Sequence, residues 1–372
     1  MKTTFGINSP QAVKRWANDL ATQTSKEMYF TKFIGTGENN IIERKVDLEQ
    51  AAGDEIIFDL NMSLRGDMTE GDDVVEGREE NLTFLQDRVR IDQARKGTDA
   101  GGRMTRKRTL HNLRTIARDR TAEFTAEWTD ELMIVYLSGA QPGQYVNEDA
   151  KVRRPFASNP IEAPDSYHMV YGGSAVSKAT LEVTHTMSRE LIERTSVMPK
   201  MMTAIDPTGQ TVKMSPVRLE EGGKHFLMLM SPFQMHDLRN GAGDLGWAAI
   251  QKSAAAAEGK NNPLFKGGSG MINNTVLHEH ENVRRFRDYG AGQNVEAHRA
   301  LFMGRQAGVL AYGNGGSGSR FQWVEESKDA GNRVAIYCGA ILGFKKSRFG
   351  GRDFGVITVD TASKNPNPAI AA

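Results

Sequence analysis

The residues best suited to chemistry sit in the second half of the chain. His278-Glu279-His280-Glu281 sets two imidazoles and two carboxylates within four residues, donor types that hold zinc. The spacing is not H-E-x-x-H. On a strand His278 and His280 would share one face with no evident third ligand, so the run reads as a surface turn. Gly313-Asn314-Gly315-Gly316-Ser317-Gly318 matches G-x-G-x-x-G in form. A dinucleotide site needs a helix opening directly after it, but Ser319 to Val324 reads as a strand, so a flexible loop is expected. Gly223-Lys224 is followed by His225 and completes no phosphate loop, and no G-x-S-x-G elbow supports a serine nucleophile. Cys338, the single cysteine, lies in the apolar run Val334–Leu342 and reads as a buried, inert thiol. No metal or cofactor is expected, and the chain is expected not to be an enzyme. The reading kept against this is a soluble α/β enzyme with a site near His278, His280 and the Gly313 loop.

Composition narrows the remaining classes. With 47 Lys and Arg against 46 Asp and Glu, the net charge is +1, which does not mark the whole chain as a nucleic-acid binder. One cysteine allows no intramolecular disulfide, in keeping with a reducing compartment. No run of about 18 apolar residues occurs, so no membrane span is expected. A length of 372 residues points to two lobes.

Charge is nevertheless segregated locally. Between Arg65 and Asn81 stand Asp67, Glu70, Asp72, Asp73, Glu76, Glu79 and Glu80, broken by Gly66, Gly71 and Gly77, with Arg78 among them. Downstream come Arg103, Arg106, Lys107, Arg108, Arg114, Arg118 and Arg120. The basic stretch lacks the interleaved aromatics of a single-strand binder, so a solvated or subunit-facing surface is favoured over specific DNA binding.

These charges need elements to hold them. Ser9, Pro10, Val13, Trp16 and Leu20 predict an N-terminal helix, followed by an extended stretch at Asn40–Leu48 that reads as a free arm or one draped over a neighbour. Asp54–Leu64 and Leu82–Asp92 predict a hairpin carrying the acidic tip. A two-stranded hairpin alone is marginal in water, so the tip is either mobile or docked on another subunit. Apolar positions from Leu110 to Val135 predict one helix over 105–138, stopped by Gly139. Its basic start and acidic end oppose the helix dipole, which suggests complementary charge elsewhere, with the hairpin tip the obvious candidate. Further helices are predicted at Ser177–Arg194, from Phe233 to Asn240 and at Trp247–Ala257. Strands are predicted at Lys224–Met230, Met271–Leu277, Arg333–Cys338 and Asp353–Asp360.

The order of arm, acidic hairpin, long helix, α/β lobe and final strand resembles an HK97-type phage capsid subunit, and specifically the N4-like major capsid protein family. Gly53-Asp54…Leu64-Arg65-Gly66, Glu76-Gly77-Arg78-Glu79-Glu80 and Ile91-Asp92-Gln93-Ala94-Arg95 carry the resemblance. Met230-Ser231-Pro232-Phe233-Gln234-Met235-His236-Asp237-Leu238-Arg239, Ala300-Leu301-Phe302-Met303-Gly304-Arg305-Gln306-Ala307 and Gly351-Arg352-Asp353-Phe354-Gly355-Val356-Ile357-Thr358-Val359 continue it.

The resemblance implies an α+β fold with an N-terminal arm over 1–50 and an extended hairpin, the E-loop, within 51–100. It further implies a peripheral domain over 101–164 containing a spine helix at 105–138, an axial domain over 165–332, and a return to the peripheral domain over 333–372. It implies self-assembly as hexamers and pentamers into an icosahedral head in the host bacterial cytoplasm, enclosing double-stranded DNA that the chain contacts non-specifically. It also implies a portal partner, with scaffolding or decoration proteins as further candidates. No long leading segment resembles a fused scaffolding domain, so scaffolding, if used, is expected as a separate protein. Closure of the shell is expected to be non-covalent. An encapsulin-type compartment subunit is the other assembly reading. Intersubunit contact is expected between Asp67, Glu70, Asp72, Asp73, Glu76, Glu79 and Glu80 of the tip and Arg106, Lys107, Arg108, Arg114 and Arg118 of a neighbour.

Overall fold

The structure is a computed structural model and describes residues 24, 27–49, 52–62, 64, 66–141, 151–202, 205, 209, 212–218, 223–241, 246, 268–313 and 320–366. The helices expected at 9–34 and 247–257 and the glycine loop at 314–318 lie wholly or mainly outside them.

The stretch expected as an arm belongs to the subunit's own core. β1 (Ile42–Lys45) pairs in parallel with β8 (Gly308–Gly313), and Ile41 and Ile42 are buried. Burying two isoleucines outweighs the charge of Glu43, Arg44 and Lys45, and Glu43 is itself neutralised by Lys45 at 2.6 Å. β2 (Glu55–Asn61) and β3 (Phe84–Arg90) form the expected hairpin, with Ile56 opposite Val89 and Glu55 opposite Arg90. Then comes β4 (Asp92–Gly102), which no apolar alternation announces.

Where one helix is expected over 105–138 there are two. α1 (Arg103–Arg108) ends as Thr109 N–H donates to the Thr105 carbonyl, and α2 (Leu113–Ser138) opens with Asn112 as its N-cap, accepting from Thr115 N–H. Leu110, which suited the apolar periodicity, is fully exposed in the break. The Asn112 cap decides the start. α2 ends at Gly139, whose φ of 62° is left-handed, and a Cβ there would lie 2.2 Å from the Glu162 carbonyl oxygen.

The helix expected at 177–194 is displaced. Only Lys178–Thr180 makes a 3-10 turn, and α3 (Arg189–Met201) starts at Ser188, which caps Leu191 N–H. α4 (232–241) has a capping box: Ser231 Oγ accepts from Gln234 N–H at 3.2 Å and Gln234 Oε1 from Ser231 N–H at 3.0 Å.

The strands form two sheets. The first is organised on β10 (Arg333–Lys346). β4 lies antiparallel along one edge. On the other edge β9 (Phe321–Lys328) and β8 follow end to end, opposite Arg333–Ala340 and Ile341–Lys346. In the second sheet β7 (Val295–Met303) is flanked by β11 (Val356–Ala362) and β5 (Lys224–Met230), with β6 (Thr275–Glu279) parallel to β5. Every residue of β11 is buried, as in strands covered on both faces. β11 thus leaves the sheet of β10, and β8 and β9 join it, so the pairings cross the expected division at 332/333.

α2 packs on the first sheet and reaches the second at its C-terminus. There Arg299 of β7 donates from Nε and Nη2 to both oxygens of Asp360 on β11, each at 2.7 Å. Nη1 donates to the Ser138 carbonyl at 3.0 Å, and Nη2 also to Tyr289 OH at 3.0 Å. Further back, Asp130 accepts from the N–H groups of Tyr29 (2.7 Å) and Phe30 (3.2 Å), tying the N-terminal segment to α2.

Two predictions arise from this junction. Removing one partner of a buried ion pair costs about 3–5 kcal/mol. Asp360→Asn is therefore expected to lower the unassembled subunit's unfolding free energy, read from denaturant titration, by that much, and Arg299→Met/Asp360→Leu to recover part of the loss. The second concerns pH. Burial pushes the Asp130 carboxyl up to about 7, against its backbone hydrogen bonds, and lowers Lys32 to about 8. A carboxyl raised on folding stabilises most when protonated, so the Asp130 contribution is lost as pH rises from about 4 through 7. Lys32, lowered on folding, restores stability only above about 8. Burial and Lys32 hold His280, beside Tyr29, down to about 4, so it stays neutral throughout. Hydrogen exchange at the Tyr29 and Phe30 amides, corrected for intrinsic rates, is expected to show weaker protection at pH 7.5 than at pH 5, and Asp130→Asn to flatten the difference.

Candidate assembly surfaces

The hairpin is anchored at its base and free at its tip. Ile56, Phe58 and Val89 sit in one apolar cluster with Leu48, Phe349 and Phe354, with Phe58 edge-on to Phe349 at 5.9 Å. Lys345 Nζ meets Asp87 Oδ1 at 2.5 Å in a nearly buried pair, and Arg348 N–H donates to the other Asp87 oxygen at 3.1 Å. Asn159 bridges both backbone groups of Arg90, accepting from its N–H at 2.9 Å and donating to its carbonyl at 2.8 Å. Arg90 also closes on Glu55 across the strand pair at 2.6 Å.

Beyond Met62, which is buried in the same cluster and donates its N–H to the Thr83 carbonyl at 3.0 Å, these supports stop. Two tight turns shape the tip, at Gly71 (φ 60°) and Gly77 (φ 84°), with Asp73 N–H donating to the Glu70 carbonyl and Arg78 N–H to that of Val75. Three of the seven acids serve the loop itself. Glu80 accepts from Gly66 N–H and Glu79 from Gly77 N–H, both at 2.7 Å, and Asp73 pairs with Arg78 at 3.2 Å. Asp67, Glu70, Asp72 and Glu76 are exposed and have no partner among the described residues. Sequence reasoning treated this tip as polar. It missed Met68, Val74 and Val75, which are 91%, 67% and 59% exposed between the acids. An adjacent valine pair in an acidic loop was the available signal.

The basic residues are less free than their sequence suggests. Arg114 pairs with Glu325 at 2.5 Å and Arg118 with Asp119 at 2.8 Å. Arg106 donates to the Asn332 carbonyl at 3.3 Å. Lys107 and Arg108 at the end of α1 are exposed, with no partner among the described residues. The acids of α2 find their complements inside the subunit: Glu127 pairs with Lys151, and buried Glu131 accepts from Lys151 N–H at 2.7 Å and meets Arg284 at 3.4 Å. Complementary charge for the helix's acidic half is therefore intramolecular.

His278 and His280 are not a surface turn. His278, on β6, is fully buried and packs edge-on to Phe33 at 5.4 Å, while His280 meets the Tyr29 ring at 4.9 Å. Both rings face one aromatic cluster, as strand alternation requires. Among the described residues no group of three or more His, Cys, Asp or Glu is placed to hold a metal. Gly313 ends β8 with Ile91 and Ile341 so close that a Cβ would lie 2.7 Å from each, which explains that glycine by packing. Cys338 is buried, and burial pushes its thiol up to about 11, the inert thiol expected.

A sequence model of the phage capsid protein family matches residues 4–365. The major capsid protein of Pseudomonas phage KPP25 is 27% identical over 366 residues, 94% of either chain. Among solved structures, the capsid of Ralstonia phage GP4 superposes with a TM-score of 0.85 at 52% identity, covering 99% of this chain and all of that one. The capsid of cyanophage Pam1 superposes with a TM-score of 0.67 at 21% identity, over 91% of this chain and 93% of its own, a likeness of fold alone. The fold is that of the HK97-type capsid subunit. An anchored hairpin with a free tip suits a chain that completes its contacts by assembly, and with nearly its whole length matched the chain belongs to the phage capsid protein family.

Proposed function

We propose that this capsid subunit, of the N4-like group, closes an icosahedral head as hexamers and pentamers, each hairpin tip gripping a neighbouring copy. The observation carrying this reading is the contrast within the hairpin. Its base is held by a buried ion pair and an apolar cluster, while its tip presents four carboxylates with no partner among the described residues and three exposed apolar side chains. A monomer gains nothing from such a tip, and large exposed apolar groups usually mark a contact surface. In this reading the long helix and the sheet on β10 form the peripheral part and the sheet on β7 the axial part. The head encloses double-stranded DNA, assembles in the bacterial cytoplasm, and adds a portal at one vertex with scaffolding or decoration proteins as further partners. The subunit works as a wall and not as a catalyst.

Exposed ion pairs are worth about 0–1 kcal/mol each, so reversing two charges weakens each contact roughly tenfold, compounded over a shell. Asp72→Lys/Asp73→Lys is expected to leave the subunit's thermal melt within about 2 °C of wild type, since surface substitutions cost little. The same change should strongly reduce the sedimenting shells seen by negative-stain microscopy. Wild-type shell yield from a folded variant would refute the docking role of the tip.

A further inference from the structure

A short hairpin follows β10: Arg348 pairs with Asp353 and Phe349 with Arg352 around Gly350 and Gly351, both left-handed (φ 57° and 78°). Strand alternation puts Lys346 and Arg348 on one face, and both reach the Asp353 side chain. Lys346 Nζ lies 2.9 Å from Asp353 Oδ2, and the two side chains are 3% and 1% exposed. The Asp353 backbone is fixed as its N–H donates to Asp165 at 2.7 Å. As an ion pair these groups are incompletely satisfied. An ammonium carries three N–H donors. Lys346 uses two, on Asp353 Oδ2 and on the Glu162 carbonyl at 3.2 Å, and has no third acceptor among the described residues. Asp353 Oδ1 accepts no hydrogen bond, because Arg348 Nε faces it at 3.1 Å out of alignment. Burial pushes the Asp353 carboxyl up and the Lys346 amine down, which draws both toward their neutral, mutually reactive forms. Lys345 and Asp87 differ, since both Asp87 oxygens accept hydrogen bonds.

We propose that Lys346 and Asp353 condense into an isopeptide bond within the chain. The ammonium passes a proton along the 2.9 Å contact to Oδ2. Neutral Nζ then adds to Cγ, and Arg348 Nε faces the charge that develops on Oδ1. A second amine proton goes to Oδ2, the Cγ–Oδ2 bond breaks and water leaves. Nothing is oxidised or reduced. Held a hydrogen bond apart in a buried turn, the two groups meet at high effective concentration. The amide suits the site better than the ion pair. Its one N–H meets the Glu162 carbonyl, its carbonyl oxygen is Oδ1 beside Arg348, and the ammonium N–H that lacked an acceptor is gone. The bond ties the end of β10 to the turn before β11. It lies inside one chain and does not bear on how copies join.

Tandem mass spectrometry of a trypsin digest tests this. The purified wild-type chain is kept folded for days, then denatured and digested. Trypsin does not cleave after an acylated lysine, so the expected main product joins residues 346–348 to residues 353–364. It is one water lighter than those two peptides together. Lys346→Arg, digested in the same way, is expected to release 353–364 alone at full mass. The wild-type result carries the test by itself, so it holds even if that variant folds poorly. Cleavage after Lys346 with 353–364 at full mass, as the main outcome in the wild-type chain, overturns the proposal. A joined product that persists in Lys346→Arg, or one that runs from Lys345 to Asp87 instead, overturns it as well.

Discussion

The subunit depends on one buried contact, the bidentate pair of Arg299 and Asp360 between neighbouring strands of the second sheet. Two buried charges are costly unless every donor and acceptor is used. Here all three guanidinium nitrogens and both carboxylate oxygens are engaged: beyond Asp360, the guanidinium donates to Tyr289 OH and to the Ser138 carbonyl, in the last turn of α2. A cation there also faces the negative end of the helix dipole. Satisfying one arginine therefore fixes the end of α2, which otherwise packs on the first sheet, against the second. The two sheets are joined by a requirement for hydrogen bonds rather than by area alone.

The same logic recurs along α2 and explains a charge pattern that opposes the helix dipole. Asp130 takes two backbone donors from the N-terminal segment, Glu131 takes the 151 amide and Arg284, and Glu127 takes Lys151. Each acid serves as a bracket for a segment that lacks secondary structure strong enough to hold itself. Lys345 with Asp87 does this for the hairpin base, and Lys346 with Asp353, 2.9 Å apart and both buried, does it for the turn before β11. Rigidity is thus concentrated where an intersubunit force on the tip would arrive.

Much of this was legible in the residues. The strand-forming run Asp54–Leu64 and the alternation of Val89 and Ile91 about Arg90 announced the hairpin, Gly139 the end of the long helix, and the apolar setting of Cys338 its inertness. Other features were hidden because a partner distant in sequence decides them. β4 carries Arg95, Lys96, Gly97 and Asp99 and has no strand pattern of its own, and it is extended because β10 offers it an edge. Ile41 and Ile42 looked like part of an arm because the charges after them dominate, and only the vacant edge of β8 reveals them as core. The His278 pair looked like a surface turn because the rings that bury it, Tyr29 and Phe33, lie some 250 positions earlier. In the assembly surface the acids were visible, but the valines between them were not weighed, although their exposure decides the energetics.

Magnitudes then assign different tasks to the two chemistries of the tip. Four exposed carboxylates, each worth about 0–1 kcal/mol in a screened pair, give a contact that is weak and falls with salt. Burying Met68, Val74 and Val75 is worth about 1.5–3 kcal/mol for each side chain before ordering costs, and is much less sensitive to salt. If the tip docks as proposed, its charge serves encounter and orientation, where complementary fields act at a distance, and its apolar residues serve retention. A shell built this way assembles reversibly while tips are only steered, and becomes hard to open once the valines are seated. Weak single contacts are an advantage under that scheme, because a misplaced subunit can leave before its neighbours close around it.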